Sequence, residues 1–249
     1  MLSQQKLIRK IFIETGSKIA SQKYVHNVYY ILEIFINSIL ASFFPAKCYI
    51  CRNPSEKIVC KNCEKNIVFI DKRVGDDFFI CEYSGVIEKA IKLLKFHKRI
   101  KLGLFLADIV NNHNPYNNFD FIVPVPLHKN RFRERGFNQS EIISYKLSKS
   151  TQKAILNSVL FRTKDTKHQF ELNKKERKIN VQGAFETNKP TNSIIKDSTI
   201  LIVDDIYTTG STISECKKEL IKNGAKKVLS LILSKATSCD IIQNDGGQE

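Results

Sequence analysis

From residue 78 onward, apolar residues along the chain alternate between strand spacing and helix spacing. Residues 78–83 predict a strand. Residues 86–97 and 102–111 repeat their apolar positions every three or four residues and predict helices. Residues 119–125 predict a buried strand closed by Pro124 and Pro126, and residues 138–149 a helix with Gly136 just before it. Further on, residues 155–161 predict a strand and residues 200–203 a continuous apolar strand. A helix over 211–223 stopped by Gly224 and a last strand over 228–233 complete the series. Strands separated by helices of this length imply an α/β fold in which a parallel sheet is covered on both faces.

The ends of the chain read differently. Val28, Ile31, Leu32, Phe35, Ile39 and Phe43 recur at helical spacing and predict an amphipathic helix within an N-terminal extension, residues 1–43. The same stretch holds Glu33 and Asn37 and is too short for a bilayer span, which needs about 20 largely apolar residues. No secretory cleavage pattern follows the basic segment Met1 to Lys10, so a cytoplasmic protein without a membrane span is expected. From Ala236 the chain turns polar and Gly-rich, which predicts a frayed tail over 236–249.

Composition then narrows the class. With 249 residues, 42% of them hydrophobic and 16 of them Phe, the chain can bury a sizeable core, which excludes an acidic disordered protein. Lys and Arg number 40 against 25 Asp and Glu, a formal charge of +15. Lys, Asn and Ile are abundant together, as AT-rich coding produces without selection for polyanions. A solvated basic surface and a polyanion site therefore both stay open.

Four of the seven Cys sit together as Cys48-x2-Cys51-x8-Cys60-x2-Cys63. Paired C-x2-C knuckles let two tight turns present four thiolates tetrahedrally, as a closed structural zinc site requires. The alternative is two redox or disulfide pairs, and the closeness of the knuckles favours one metal. With no open coordination position, such a zinc would hold structure. The histidines, His97, His113, His128 and His168 among them, show no ligand spacing.

The most informative run is residues 200–212, Ile-Leu-Ile-Val-Asp204-Asp205-Ile-Tyr-Thr208-Thr209-Gly210-Ser211-Thr212. An apolar strand delivers two adjacent carboxylates at its carboxyl end, where open α/β sheets place their ligands. The turn that follows opens a helix, whose N–H groups and flanking hydroxyls make a phosphate cradle that Gly210 allows a ligand to approach closely. Ionised Asp204 and Asp205 are acceptors only and suit vicinal sugar hydroxyls, so the parts together describe a ribose 5-phosphate. The alternative, an ordinary turn and N-cap, explains either half alone. No Gly-Lys-Ser/Thr follows, which excludes a Walker A loop.

This run resembles the phosphoribosyl pyrophosphate (PRPP) signature of type I phosphoribosyltransferases. Residues 43 to 235 as a whole resemble the competence protein ComF family. The likeness is carried by Phe44-Pro45 before the four Cys, Leu94-Lys95-Phe96, Val123 to Leu127, and Arg133 through Gly136 to Gln139 and Ser140. It continues through Arg162, Thr166, Gln169, Arg177, Asn180 and Gly183-Ala184-Phe185. The resemblance implies a zinc-knuckle module over 44–77 and a type I phosphoribosyltransferase-like domain over 78–235. It implies that Asp204 and Asp205 hold the ribose hydroxyls and that Thr208, Thr209, Gly210, Ser211 and Thr212 bind the 5-phosphate. Val125, Pro126 and Leu127 would form a pyrophosphate loop, with Arg131, Arg133 and Arg135 neutralising the pyrophosphate from a flexible flap over 129–137. Magnesium would come with PRPP, bridging its oxygens rather than sitting in a protein cage.

Catalysis of that kind stabilises a leaving pyrophosphate and a C1 of oxocarbenium character, with no protein nucleophile. The acceptor is not legible. The family is associated with the uptake of single-stranded DNA, which implies competence-machinery partners and leaves an inactive DNA-binding or regulatory protein as the other reading. Two basic runs bear on that reading. One is Lys89, Lys92, Lys95, Lys98, Arg99 and Lys101, in which Lys92, Lys95 and Arg99 share a helix face; the other falls within 162–178.

Overall fold

A computed structural model describes residues 46–164, 181–188 and 192–236. The predicted helix within 1–43, most of the basic run over 162–178, the motif residues Thr166, Gln169, Arg177 and Asn180, and the tail beyond Ala236 lie outside the described residues. The chain divides into two compact units, Met1–Lys47 and Cys48–Glu249, and all the elements below belong to the second.

A short helix α1 (Lys61–Lys65) leads into strands β1 (Phe69–Val74) and β2 (Asp77–Glu82), then helices α2 (Gly85–His97) and α3 (Ile100–Asn112). Strand β3 (Phe121–Pro124), helices α4 (Lys129–Arg135) and α5 (Gln139–Thr151), and strands β4 (Ala154–Ile155), β5 (Leu160–Arg162) and β6 (Phe185–Thr187) follow. The last elements are α6 (Asn192–Ile195), β7 (Thr199–Tyr207), α7 (Ser211–Lys222) and β8 (Lys227–Lys235). Six strands form one sheet in the order β1-β2-β8-β7-β3-β4, parallel throughout except that β1 runs antiparallel to β2. β5 and β6 pair separately.

The parallel strands are apolar on both sides, and their period of two sorts the side chains between two cores. Leu201 and Val203 of β7 join Leu229, Leu231 and Leu233 of β8 beneath α2, α3 and α5. Ile200 and Ile202 join Val228 and Ile232 beneath α7, which contributes Ile213, Cys216 and Leu220. The sheet is therefore covered on both faces, as the apolar runs predict. The first core also takes in Cys48, Ile50, Val59 and Cys63, so the cysteine segment packs on the helical face of the sheet.

Three elements depart from the pattern-based expectation. The single strand expected over 155–161 is two strands in different sheets, because the turn-forming pair Asn157-Ser158 breaks it between β4 and β5. The segment expected as a flexible flap is helical over Lys129–Arg135, capped at its start by His128, whose Nδ1 accepts from the Asn130 N–H at 3.4 Å. It ends at Gly136 in the left-handed region. β1 has no apolar alternation and is exposed along its length, yet Gly75, at φ +60°, supplies the two-residue turn that folds it back onto β2.

Leu231 is wholly buried at the centre of the sheet. Leu231→Ala is expected to destabilise the fold by about 2–5 kcal/mol through lost burial and a residual cavity. Urea unfolding followed by circular dichroism, with an unchanged denaturant slope, checks this.

Candidate functional site

The chain leaves β3 toward β4 on one side and returns through β7 and β8 on the other, so the strand order reverses between β3 and β7. At such a switch point the loops after adjacent strands diverge and open a crevice beyond their carboxyl ends. Here the two strands also differ in length. β3 pairs with β7 only as far as Pro124↔Val203, while β7 continues beside β8 to Tyr207↔Lys235. Asp204 and Asp205 thus sit in the strand, one and two residues past the point where β3 turns away. They are not in a loop after it.

Both acids are buried, and adjacent strand positions turn them to different partners. Asp204 Oδ1 accepts the Ser140 hydroxyl at 3.0 Å and the Asp205 N–H at 2.9 Å. Asp205 Oδ2 meets the Lys95 ammonium of α2 at 2.6 Å. Burial first, and then the charge of Asp205, push the Asp204 carboxyl up to about 7, against the pull of Lys95, the Asp205 N–H and Ser140. Ser140 is positioned by the start of α5, where Asn138 caps the helix by accepting the Ser140 N–H at 3.0 Å. The amide of Asn138 in turn donates to the Val125 carbonyl at 3.0 Å. One residue therefore ties the loop after β3 to the acid pair.

Thr208, Thr209, Gly210, Ser211 and Thr212 are half-buried and form the turn into α7. Gly210 is at φ +77° and is the N-cap, so it offers no side chain to the first helical turn. A Cβ there would also run into the Tyr207 ring. The Thr209 and Ser211 hydroxyls lie 2.8 Å apart. The Ser211 N–H donates to the Thr209 hydroxyl at 3.4 Å, and a helix start ringed by such hydroxyls can receive an anion.

Val125, Pro126 and Leu127 form the loop after β3, with Val125 buried and held by the Val203 carbonyl at 3.0 Å. The three arginines differ in burial. Arg135 is buried and faces Asp205, its guanidinium 5.9 Å from the centre of the Phe96 ring and 3.4 Å from Gln139 Oε1. Burial lowers it from the usual arginine range, opposed by Asp205 and Glu134. Arg131 is half-buried and Arg133 exposed on the short helix α4.

The cysteines converge. The Sγ atoms of Cys48, Cys51, Cys60 and Cys63 all lie within 4.8 Å of one another, with Cys48–Cys63 at 3.8 Å and Cys51–Cys60 at 3.7 Å. Tetrahedral zinc with Zn–S bonds of about 2.3 Å requires sulfurs about 3.8 Å apart, whereas a disulfide requires about 2.05 Å. The Ile50 and Cys60 N–H groups point at Cys48 Sγ at 3.4 and 3.3 Å, a pattern that suits a thiolate. Burial opposes ionisation of Cys48, but the N–H groups of Cys51, Cys60 and Ile50 outweigh it and bring the thiol down to about 6. Burial and the neighbouring sulfurs push Cys63 up to about 12. Four sulfurs in which one charge disfavours the next fit a divalent cation.

The expected stripe of Lys92, Lys95 and Arg99 is not a free cationic face. Lys92 pairs with Glu88 at 2.7 Å, Lys95 turns inward to Asp205, and Arg99 lies over the Tyr49 ring. Lys95 and Asn138 are the residues whose place in the site sequence reasoning missed. Both lie in motifs that carry the family resemblance, but Lys95 otherwise reads as part of a basic helix face and Asn138 as a helix start, and neither reading assigns the residue to the acids.

A family model described as phosphoribosyl transferase domain matches residues 103–240. The chain is 31% identical over 156 residues to the DNA utilization protein YhgH of Escherichia coli, covering 60% of this chain and 67% of that one. It is 30% identical over 176 residues to competence protein F of Haemophilus influenzae, covering 68% and 75%. It is 26% identical to competence protein ComFC of Bacillus subtilis over 187 residues, covering 71% and 72%.

The Asp204 proton has a measurable consequence. The folded protein holds it more tightly than the unfolded chain, whose carboxyl titrates near about 3.9. Stability from this group is full below about pH 4 and declines as pH rises to about 7. Asp204→Asn is expected to flatten that slope in thermal melts between pH 4 and 8. A slope equal to that of the wild type would contradict the burial argument.

Proposed function

The chain belongs to the phosphoribosyl transferase domain family, in its ComF group, and on that premise we propose that it binds PRPP with magnesium as part of DNA uptake in the cytoplasm. The observation that carries this reading is the pair Asp204 and Asp205, held in β7 beyond the end of β3 and next to the hydroxyl-lined start of α7. The 5-phosphate sits on the turn Thr208–Thr212, where N–H groups and hydroxyls meet an anion without needing a cation from the chain. The acids take the ribose hydroxyls. The loop Val125–Leu127 flanks the pyrophosphate, and Arg135, close enough to feel the charge of Asp205, supplies a guanidinium. Arg131 and Arg133, also on α4, reach the pyrophosphate from its outer side. Magnesium, arriving with the ligand, would supply charge neutralisation of the leaving group.

Transfer from such a ligand breaks the C1–O bond as pyrophosphate leaves. The chain's contribution is to orient the sugar, offset negative charge on the departing group and keep water from C1. We propose the chain as a transferase on this chemistry, with an acceptor that would enter opposite the pyrophosphate. Zinc at Cys48, Cys51, Cys60 and Cys63 would fix the cysteine segment against the helical face of the sheet and take no part in transfer.

Isothermal calorimetry with PRPP, with and without magnesium, tests the ligand. Wild type should bind in a magnesium-dependent way, and Asp204→Asn with Asp205→Asn should weaken binding at least tenfold. Equal heats for the two proteins would end the reading. PRPP binding without turnover would mark a sensor, and single-strand affinity that survives the double substitution and falls steeply with salt would mark a DNA-binding accessory.

Metal analysis tests the cysteine site separately. One zinc per chain is expected in the wild type and loss of it after Cys60→Ser. Stoichiometric zinc retained in that variant would rule out the four-thiolate arrangement.

A further inference from the structure

Lys95 is on α2, among lysines that mostly face outward. Lys92, one turn earlier, is nearly half exposed and pairs along its own helix with Glu88. The Lys95 side chain is 15% exposed and reaches across to Asp205, which is 6% exposed. Burying an ammonium costs several kcal/mol unless a carboxylate compensates it, so this lysine is placed by the acid it meets. The dependence runs the other way too. Asp205 Oδ2 is shut off from solvent and makes no hydrogen bond elsewhere among the described residues, so the Lys95 ammonium carries it.

The surroundings show what that ion pair does. Asp204 and Asp205 are neighbours in one buried strand, and the charge of Asp205 opposes the ionisation of Asp204. Every adjoining element contributes a group. α2 brings Lys95, α4 brings Arg135 to Asp205, α5 brings the Ser140 hydroxyl to Asp204, and α7 places Cys216 near Asp204. β8 adds Ser234, which donates to the Asp205 carbonyl at 2.8 Å. Of the two cations, Lys95 makes the direct contact. Oδ2 is sealed from solvent with the Lys95 nitrogen 2.6 Å away, so a sugar hydroxyl meets that oxygen only once the ammonium moves aside. A flexible four-carbon stem and three donors allow the move. An anionic ligand in the crevice gives the ammonium somewhere to go, and sugar hydroxyls give the carboxylate replacement donors.

We propose that Lys95 is the positioning residue of the acid pair, holding the Asp205 carboxylate in place before the ligand arrives and then yielding it to a hydroxyl of the bound sugar. The inference rests on the PRPP reading above. It makes α2 a working part of the site, although α2 lies more than a hundred residues before the acids in sequence.

PRPP–magnesium affinity measured by calorimetry from pH 6 to 9 tests it on the wild type, Lys95→Met and Lys95→Arg. Taking the ratio to wild type at each pH cancels the ligand's own titration. Without the ammonium, Asp204 ionises at higher pH, and the proposal has the sugar hydroxyls donate to the ionised acid pair. Lys95→Met should therefore bind about tenfold more weakly at pH 7 and within about twofold of wild type at pH 9. Lys95→Arg should follow the wild-type profile. A loss equal at every pH, or no loss, overturns the proposal and leaves Lys95 as a structural ion pair. Carbon-13 carboxyl titration without ligand gives a second reading, in which the Asp204 midpoint should rise in Lys95→Met and an unmoved midpoint would refute the holding role. If the wild type binds no PRPP at any pH, the proposed function falls and the yielding step with it, while the carboxyl titration still decides whether the Lys95 ammonium acts on the acid pair through Asp204.

Discussion

Two carboxylates side by side in a buried strand are the constraint around which the rest of this domain is arranged. Water cannot solvate them there, and their charges repel across one peptide unit, so the protein must supply donors and cations from elsewhere. It does so from four directions: α2 through Lys95, α4 through Arg135, α5 through Ser140, and the backbone of β7 itself. The place where this is feasible is set by strand length. Had β3 run as far as β7, its backbone would occupy the edge of β7 past Val203, where the acids now adjoin the start of α5.

Those parts of the fold with a strong period were legible in the sequence. The apolar runs of β7 and β8 and the helices α2, α3, α5 and α7 follow from spacing alone, because burial on both faces leaves no other arrangement for so many consecutive aliphatics. β1 was not legible by that route. Phe69 to Val74 is exposed and mixed, and only the Gly75-Asp76 turn signals that it folds back. The helix at Lys129–Arg135 was hidden for a similar reason, since seven mostly charged residues carry no apolar period and are held by the His128 cap and the Gly136 stop.

The candidate site was legible in its acids, its hydroxyl turn and its cysteines, each of which is a local string. What joins them was not. Lys95 and Asp205 stand far apart in sequence, and the chemistry of a lysine in a helix does not reveal which way it faces. Asn138 likewise reads as a helix cap, and only the folded chain shows its other bond to the loop after β3. The arginines illustrate the converse. Arg131, Arg133 and Arg135 are equivalent as a string, yet a step of two residues along the helix separates the buried guanidinium of Arg135 from the exposed one of Arg133.

The antiparallel edge strand of the six-stranded sheet has a consequence of its own. β1 ends the sheet with Val68, Phe69, Ile70 and Val74 exposed, a composition that in a flat strand would template pairing with another chain. Its register is interrupted between Phe69 and Lys72, and Lys72 and Arg73 follow directly. A bulge that twists the strand and two charges on the rim are the means by which edge strands resist self-association. At the opposite margin β4 is only two residues long. Both borders of the sheet are thus poor templates, which spares a chain rich in β-branched residues from growing by intermolecular β-pairing.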